Sequence, residues 1–270
     1  MIIFTRKVHL MPDFTLSGTV SLVSGATGGI GRATCLALQQ AGSIVIASDL
    51  AETADVAGAA EYHRLDVTEE ASWTALIAHI EAQHGRLDIL VNNAGISITD
   101  SIADTTLAAF RRCMAINVEG VFLGTQAAQA LLAKSGKERK GGSSIVNLSS
   151  VGGLRGAAFM SAYCASKGAV KLFTKSAGVE YAMLGLPIRV NSMHPGGIDT
   201  AMMDAIYSRY VEGGLFPDME TAHATVSAGH AMGRTGKPEE IAAGIVYLCT
   251  PAASFMTGSE MVIDGGMTAK

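Results

Sequence analysis

A glycine-rich turn near the N-terminus constrains this chain more than any other feature. The apolar run Val20–Val23 leads straight into Ser24-Gly25-Ala26-Thr27-Gly28-Gly29-Ile30-Gly31. The segment Ile30–Gln40 that follows has helical character and no Gly or Pro beyond Gly31. A strand that turns at once into a helix presents free N–H groups and the positive dipole end of that helix. Glycines at the junction let the backbone come close to a pyrophosphate. The spacing is Gly-x-x-x-Gly-x-Gly, at Gly25, Gly29 and Gly31, and not the usual Gly-x-Gly-x-x-Gly. No Lys-Ser/Thr pair follows, which excludes a P-loop. The alternative is a tight strand-to-helix turn with no ligand; position and context favour nucleotide binding, with Thr27, Gly28 and Ile30 beside the three glycines.

The rest of the chain repeats the strand–helix alternation. Short Val- and Ile-rich runs recur at Val20–Val23, Ser43–Ala47, Ile89–Val91, Ser144–Leu148, Ile188–Asn191 and Met261–Ile263, with a further strand near Tyr62–Leu65. Such runs suit strands buried on both faces. Helical segments are expected at Glu69–His84, Leu107–Lys134, Ala162–Met183 and Glu239–Leu248, the last introduced by Pro238 in its first turn. Alternation of this kind predicts an α/β fold, a doubly wound parallel sheet of about seven strands with helices on both faces, the Rossmann fold. Only about a dozen residues separate Asp49 from the third strand, short for a crossover with a full helix. A single domain over 14–270 is expected, preceded by a flexible extension over 1–13 with Met11 as an alternative start.

Composition narrows the class. Of 270 residues, 49% are hydrophobic and 16% charged, which excludes a disordered chain. The 31 glycines cluster and do not recur every third residue, which excludes collagen. A net charge of −4 offers no basic footprint for nucleic acid or an acidic membrane. No run reaches the length of a membrane span. Cys35, Cys113, Cys164 and Cys249 are far apart, and the seven histidines show no ligand-type spacing, so neither disulfide nor metal is expected. These features predict a cytoplasmic protein.

Asp49 ends the second strand, 18 residues beyond Gly31. A carboxylate there accepts hydrogen bonds from both ribose hydroxyls of NAD and repels a 2′-phosphate. Neither Gly28 nor Leu50 supplies the positive charge a 2′-phosphate would favour, so NAD is expected over NADP. A capping or loop carboxylate is the other reading of Asp49.

Tyr163 and Lys167 lie four residues apart on one face of a predicted helix. A tyrosine hydroxyl titrates near 10, and adjacent positive charge lowers that value toward a useful acid–base range. Thirteen residues before Tyr163, Ser150 follows a predicted strand, at the carboxyl edge where ligands of open α/β sheets bind. Ser149 is the competing hydroxyl.

With these residues in place, the chain resembles the short-chain dehydrogenase/reductase family in its single-domain form. The resemblance runs from Leu16 to Gly266. It rests on Gly25-x-x-x-Gly29-x-Gly31, Asp66-Val67, Asn92-Asn93-Ala94-Gly95, Asn117, Ser150, Tyr163-x-x-x-Lys167, Pro195-Gly196 with Thr200, and Asp264-Gly265-Gly266. It implies that Tyr163 is the acid/base and that Ser150 orients the substrate oxygen. Lys167 would hold the nicotinamide ribose and lower the Tyr163 pKa, and Asn117 would anchor a relay water. Asp66 and Val67 would meet the adenine, and Asn93, Ala94 and Gly95 would line the cofactor. Ile198 and Thr200 would hold the carboxamide beside Pro195 and Gly196. Asn93 and Asn117 also admit a purely structural reading, tying neighbouring strands.

The family places a mobile substrate lid after Pro195, here about residues 197–230, a segment rich in Met, Tyr and Leu. Met202, Met203 and Tyr207, with Ile96, Ile98, Val151, Leu154, Phe159 and Met160, are candidates for an apolar pocket; ordinary helix packing is the alternative for each. The expected activity is NAD-dependent interconversion of a secondary alcohol and a ketone, apolar and alicyclic or steroid-like. The alternatives are reduction of a 3-oxoacyl thioester and a non-catalytic dinucleotide-binding scaffold. The helices Leu107–Lys134 and Ala162–Met183 resemble the family's subunit interface, implying a homotetramer or homodimer.

Overall fold

Seven parallel strands form one sheet in the order β3-β2-β1-β4-β5-β6-β7. The coordinates are a computed structural model that describes residues 14–270. The extension expected over 1–13 lies outside the described residues. The strands are β1 (Val20–Ser24), β2 (Ile44–Asp49), β3 (Glu61–Arg64), β4 (Ile89–Asn92), β5 (Ser143–Leu148), β6 (Ile188–Pro195) and β7 (Glu260–Ile263). β1, β4, β5 and β6 are buried at every position, which is why they read as continuous apolar runs and not as alternating ones.

The helices are α1 (Gly29–Gln40), α2 (Glu70–His84), α3 (Leu107–Met114), α4 (Gly120–Gly136), α5 (Ser161–Met183), α6 (Ala201–Glu212), α7 (Met219–Gly229) and α8 (Pro238–Cys249). Two cores result, one on each face of the sheet. Cys35 and Leu38 of α1 join Ile241, Ile245 and Leu248 of α8 in one. Trp73 and Ile80 of α2, Leu131 and Leu132 of α4 and Tyr181 of α5 form the other.

One expectation is met and one changes. β2 and β3 are joined without a helix, in keeping with the short connection. The long helix expected over Leu107–Lys134 is broken: residues 115–119 form one turn of wider π-helix between α3 and α4. The break has a tertiary cause. Asn117, in that turn, accepts from the Ile96 amide at 2.9 Å and donates back to the Ile96 carbonyl at 2.9 Å. Single π turns inside helices commonly mark functional sites.

The strand order reverses between β1 and β4, and doubly wound sheets bind ligands outside the carboxyl ends of strands at such a point. The chain leaves β1 at Gly25 and β4 at Asn93, so these two turns form the floor of the cleft.

Candidate active site

A cleft of about 580 Å³ runs across the carboxyl edge of the sheet, within the range of small-molecule sites. At one end lies the glycine turn. Gly28 precedes α1 without any side-chain cap, and the first turn carries no acidic residue. The helix therefore opens with its N–H groups unblocked, an arrangement that favours an anion. Gly25 has φ +64°, and a Cβ there would sit 2.6 Å from the Ala94 Cα. A Cβ on Gly31 would sit 2.2 Å from the Gly25 carbonyl oxygen. These two glycines let the turn fold onto itself and onto β4, whereas a Cβ on Gly28 would meet nothing closer than 3.5 Å. Asn93 fastens the two turns together, donating from Nδ2 to the carbonyls of Ser24 at 3.0 Å and Gly25 at 2.8 Å.

Asp49 lies at the end of β2, facing the same turn. Its Oδ2 accepts from the Thr27 amide at 2.9 Å and hydroxyl at 2.5 Å, and its Oδ1 accepts from the Leu50 amide at 2.7 Å. The nearby Arg32 is committed to the carbonyls of Thr27 and Asp55, and Arg64 pairs with Glu52. Asp66 accepts from the Thr68 amide and hydroxyl, which hold its carboxyl below the usual range. Val67 is backed by α4, where a Cβ on Gly120 would come within 2.9 Å of it.

At the other end, β5 delivers Ser149 and Ser150 while α5 delivers Tyr163 and Lys167. The two serines separate by direction. The Ser149 hydroxyl donates to the Lys167 carbonyl at 2.8 Å and so serves α5. The Ser150 hydroxyl accepts from the Gly152 amide at 3.0 Å, and its presence favours the Tyr163 phenolate. Lys167 is 4% exposed; its Nζ donates to the Leu148 carbonyl at 2.7 Å and sits 5.6 Å from the centre of the Tyr163 ring.

Burial dominates the titration of this pair. It pushes the Tyr163 phenol up to about 12, opposed by the Ser150 hydrogen bond. It pulls the Lys167 ammonium down to about 8. Without a bound cofactor, desolvation of the phenolate is the largest influence on Tyr163. Asn117 is fully buried, off the cleft surface, with its amide also reaching Ser166 at 3.0 Å. Its side chain positions the Gly95–Ile96 turn.

Every residue singled out for cofactor binding lines the cleft: Gly25, Thr27, Gly28, Gly29, Ile30, Gly31, Asp49, Leu50, Asp66, Val67, Asn93, Ala94, Gly95, Tyr163, Lys167, Pro195, Gly196, Ile198 and Thr200. On the substrate side Ile96, Val151, Met160, Met202 and Met203 line it, while Ile98, Leu154, Phe159 and Tyr207 do not. Tyr207 turns away from the cleft, 1% exposed, with its ring stacked 4.1 Å from His223. Phe159, at φ 63°, packs edge-on against Tyr210 and faces a smaller pocket.

Ile206, Tyr210, Val226 and Met267 complete the apolar wall, and Arg112 and Arg155 stand at its exposed rim. Met203, Ile206 and Tyr210 follow the i, i+3, i+7 spacing of one helix face, but Tyr207 falls at i+4 on the same stripe, so spacing alone does not tell it apart. Two histidines were also missed. His194 donates from Nδ1 to the Ser150 carbonyl at 3.0 Å and accepts from the Ser192 hydroxyl at 2.8 Å, so it fixes the backbone of Ser150. His230, ending α7, donates to the Val226 carbonyl and accepts from the Gly197 amide at 3.0 Å, latching that helix to the turn after β6. Nothing in their spacing along the chain marks either one.

A sheet of this order with a serine, tyrosine and lysine converging beside a glycine-rich nucleotide turn defines a class of oxidoreductase, and comparison with known proteins agrees. The family model described as Enoyl-(Acyl carrier protein) reductase matches residues 25–268. Cyclopentanol dehydrogenase of Comamonas testosteroni is 40% identical over 259 residues, covering 93% of this chain and 97% of its own. The 3-alpha-(or 20-beta)-hydroxysteroid dehydrogenase of Mycobacterium tuberculosis (strain ATCC 25618 / H37Rv) is 37% identical over 260 residues, covering 94% and 91%. The NADP-dependent (R)-specific alcohol dehydrogenase of Lentilactobacillus kefiri is 36% identical, covering 94% and 98%. Among solved structures, ligand-free aldohexose dehydrogenase of Thermoplasma acidophilum superposes with a TM-score of 0.83 at 33% identity, covering 94% of this chain and 95% of that one. The chain belongs to the short-chain dehydrogenase/reductase family, whose dehydrogenases use a nicotinamide cofactor. The uncapped α1 terminus, the Gly25–Gly31 turn and the anchored Asp49 carboxylate fit such a dinucleotide.

Proposed function

We propose that the protein is an NAD-dependent dehydrogenase that interconverts an apolar secondary alcohol, alicyclic or steroid-like, and its ketone. The observation that carries this reading is the convergence of Ser150, Tyr163 and Lys167 at one end of a cleft whose other end holds Asp49. The nicotinamide ring, when bound, would supply the hydride acceptor or donor. The Ser150 hydroxyl holds the substrate oxygen, and the Tyr163 hydroxyl exchanges a proton with that oxygen. At neutral pH the buried phenol is protonated and ready to donate in the direction of ketone reduction. In the oxidative direction it must first lose its proton, which added positive charge in the cleft would favour. Lys167 holds the ribose.

The apolar wall of Ile96, Met203, Ile206 and Val226 supports an apolar substrate, as do the relatives that act on cyclopentanol and on hydroxysteroids. Segment 197–230, with α6 and α7 joined at Gly213-Gly214, is the lid. Replacing Tyr163 by Phe should lower kcat about 10²–10⁴-fold while NAD binding by fluorescence titration is retained. Retained turnover would refute the assignment.

A second reading, reduction of a 3-oxoacyl thioester with NADPH, is favoured by Arg112 and Arg155 at the rim, which suit an anionic carrier. Initial rates with NADH and NADPH on cyclic ketones and acyl thioesters separate the two. We further propose a homodimer or homotetramer in the cytoplasm. Phe122 of α4 and Leu172, Val179 and Met183 of α5 are exposed apolar residues, the last at 83%, and such a patch marks an interface. The four free thiols fit a reducing compartment.

A further inference from the structure

At the outer edge of the sheet, away from the cleft, three imidazoles converge on one carboxylate. Glu61 and His63 are two residues apart on edge strand β3 and so share a face. His79 and His84 come from the second half of α2, which crosses over that face. His63 Nε2 lies 2.9 Å and His79 Nε2 3.0 Å from Glu61 Oε2, and His84 Nε2 lies 2.7 Å from Glu61 Oε1. The His63 and His79 rings are 4.3 Å apart. The donor atoms of Glu61, His63 and His79 all fall within 4.8 Å of one another, on partly exposed side chains that an ion can reach from solvent. Spacing along the chain hid this group because its members come from two elements.

We propose that Glu61, His63 and His79 bind a divalent transition-metal ion, with Zn²⁺ the representative case, and that His84 supports the site by holding the second carboxylate oxygen. Two imidazole nitrogens and a carboxylate oxygen form a donor set that suits zinc. Bonds of about 2.0–2.1 Å in a tetrahedral site place ligand atoms roughly 3.3 Å apart, so each Glu61–histidine pair, now 2.9–3.0 Å apart, need open only a few tenths of an ångström, while the two imidazole nitrogens, within 4.8 Å of each other, settle to the same spacing. Ligation through Nε2 needs each ring as its Nδ1–H tautomer, so the proton now pointing at Glu61 leaves Nε2 for solvent while a neutral ring takes one up at Nδ1, and a water completes the fourth position. A hydrogen bond to a ligating carboxylate is the usual outer support of such a site. The last turn of α2, which ends at His84, adds the negative end of the helix dipole.

The ion would clamp β3 to α2 on either side of the stretch Leu65–Val67 that lines the cleft. It lies outside the reacting groups, so its role is to hold this unit in place.

The test is calorimetric titration of tag-free, chelator-stripped protein with ZnCl₂, beside thermal unfolding. One equivalent should bind saturably, and at ~100-fold excess over Kd the midpoint should rise by about 5–10 °C. The double variant His63→Ala/His79→Ala should weaken binding at least ~100-fold, and His84→Ala about 10-fold. Glu61→Gln, close in shape, should also lose affinity and keeps the test open if the double variant unfolds. Turnover with a saturating substrate should be unchanged in His79→Ala. Absence of saturable binding at one equivalent, or an affinity that the Glu61 and histidine variants leave untouched, would overturn the proposal.

Discussion

The two ends of the cleft are built in different ways. The nucleotide end is backbone, closed by Gly25 and Gly31, which admit no side chain, and by hydrogen bonds that Asn93 donates and Asp49 accepts. The substrate end is side chain, an apolar wall from α6, α7 and the turn after β5, latched by His230. A backbone site tolerates almost no change, while a side-chain site can repack at small cost. The first end therefore admits little variation, and the second leaves room for a particular substrate to be chosen.

The sharpest test of that contrast is a pair of glycines. Replacing Gly31 by Ala drives a Cβ to 2.2 Å from a carbonyl oxygen, so the turn must open. We expect loss of cofactor binding together with a destabilisation of several kcal/mol, since overpacking against backbone cannot relax by rotamer change (~1–3 kcal/mol where it can). At Gly156, on the substrate side, a Cβ would meet nothing within 4 Å, and Ala should leave activity and melting temperature unchanged. Equal effects at the two positions would break the comparison.

Replacing Asp49 by Ala probes the nucleotide end more gently. Loss of a charged acceptor for ribose hydroxyls is worth about 1.5–3 kcal/mol, so KM for NAD should rise roughly 10–100-fold. The NADH-over-NADPH preference that the proposed function predicts should shrink with it. A preference that does not move would assign Asp49 to its Thr27 and Leu50 hydrogen bonds alone.

Sequence and structure agree most closely at this same end, and for a physical reason. Strands buried on both faces must be apolar throughout, so β1, β4 and β5 were legible within a residue or two. A turn that must approach a ligand must be glycine, and Gly25, Gly29 and Gly31 announce it. The substrate end has no such code. α6 and α7 went unread as helices because Gly213, Gly214 and Pro217 interrupt them, and Tyr207 differs from Tyr210 only by the face it occupies. The π turn at Asn117 follows from a bond to Ile96, 21 residues away in sequence. His194 and His230 act through similarly distant partners. Those roles exist only once the chain is folded.

Lys167 stands where the two ends meet, and its burial separates function from stability. Its folded pKa, near 8, lies below its ordinary value near 10.5. Between those values the unfolded chain binds more protons, so stability rises with pH across that window. Below about 8 the buried ammonium costs the fold its full penalty, no more than ~3 kcal/mol on the scale of 1.36 kcal/mol per unit. The variant Lys167→Met should then melt higher than the parent at pH 7, measured without cofactor. The gap should close as pH is raised toward 10, while turnover is lost at every pH. A gap independent of pH would show that packing, and not charge burial, sets the difference.

The smallest effect is expected at Tyr207, and it bears on the substrate end alone. Its hydroxyl is buried with no hydrogen-bond partner among the described residues. An unsatisfied buried polar group costs about 1–3 kcal/mol, and removing it with the ring left in place recovers part of that. Tyr207→Phe should therefore raise the melting temperature by roughly 2–4 °C. Because the ring faces His223 and not the cleft, kcat and KM for the alcohol should not change. The control is Ile206→Ala, one residue earlier on the wall, where KM should rise several-fold as an apolar contact worth ~1–3 kcal/mol is lost. If Tyr207→Phe raised KM and Ile206→Ala did not, α6 would present its other face to the substrate, and the apolar wall would have to be redrawn around Tyr207.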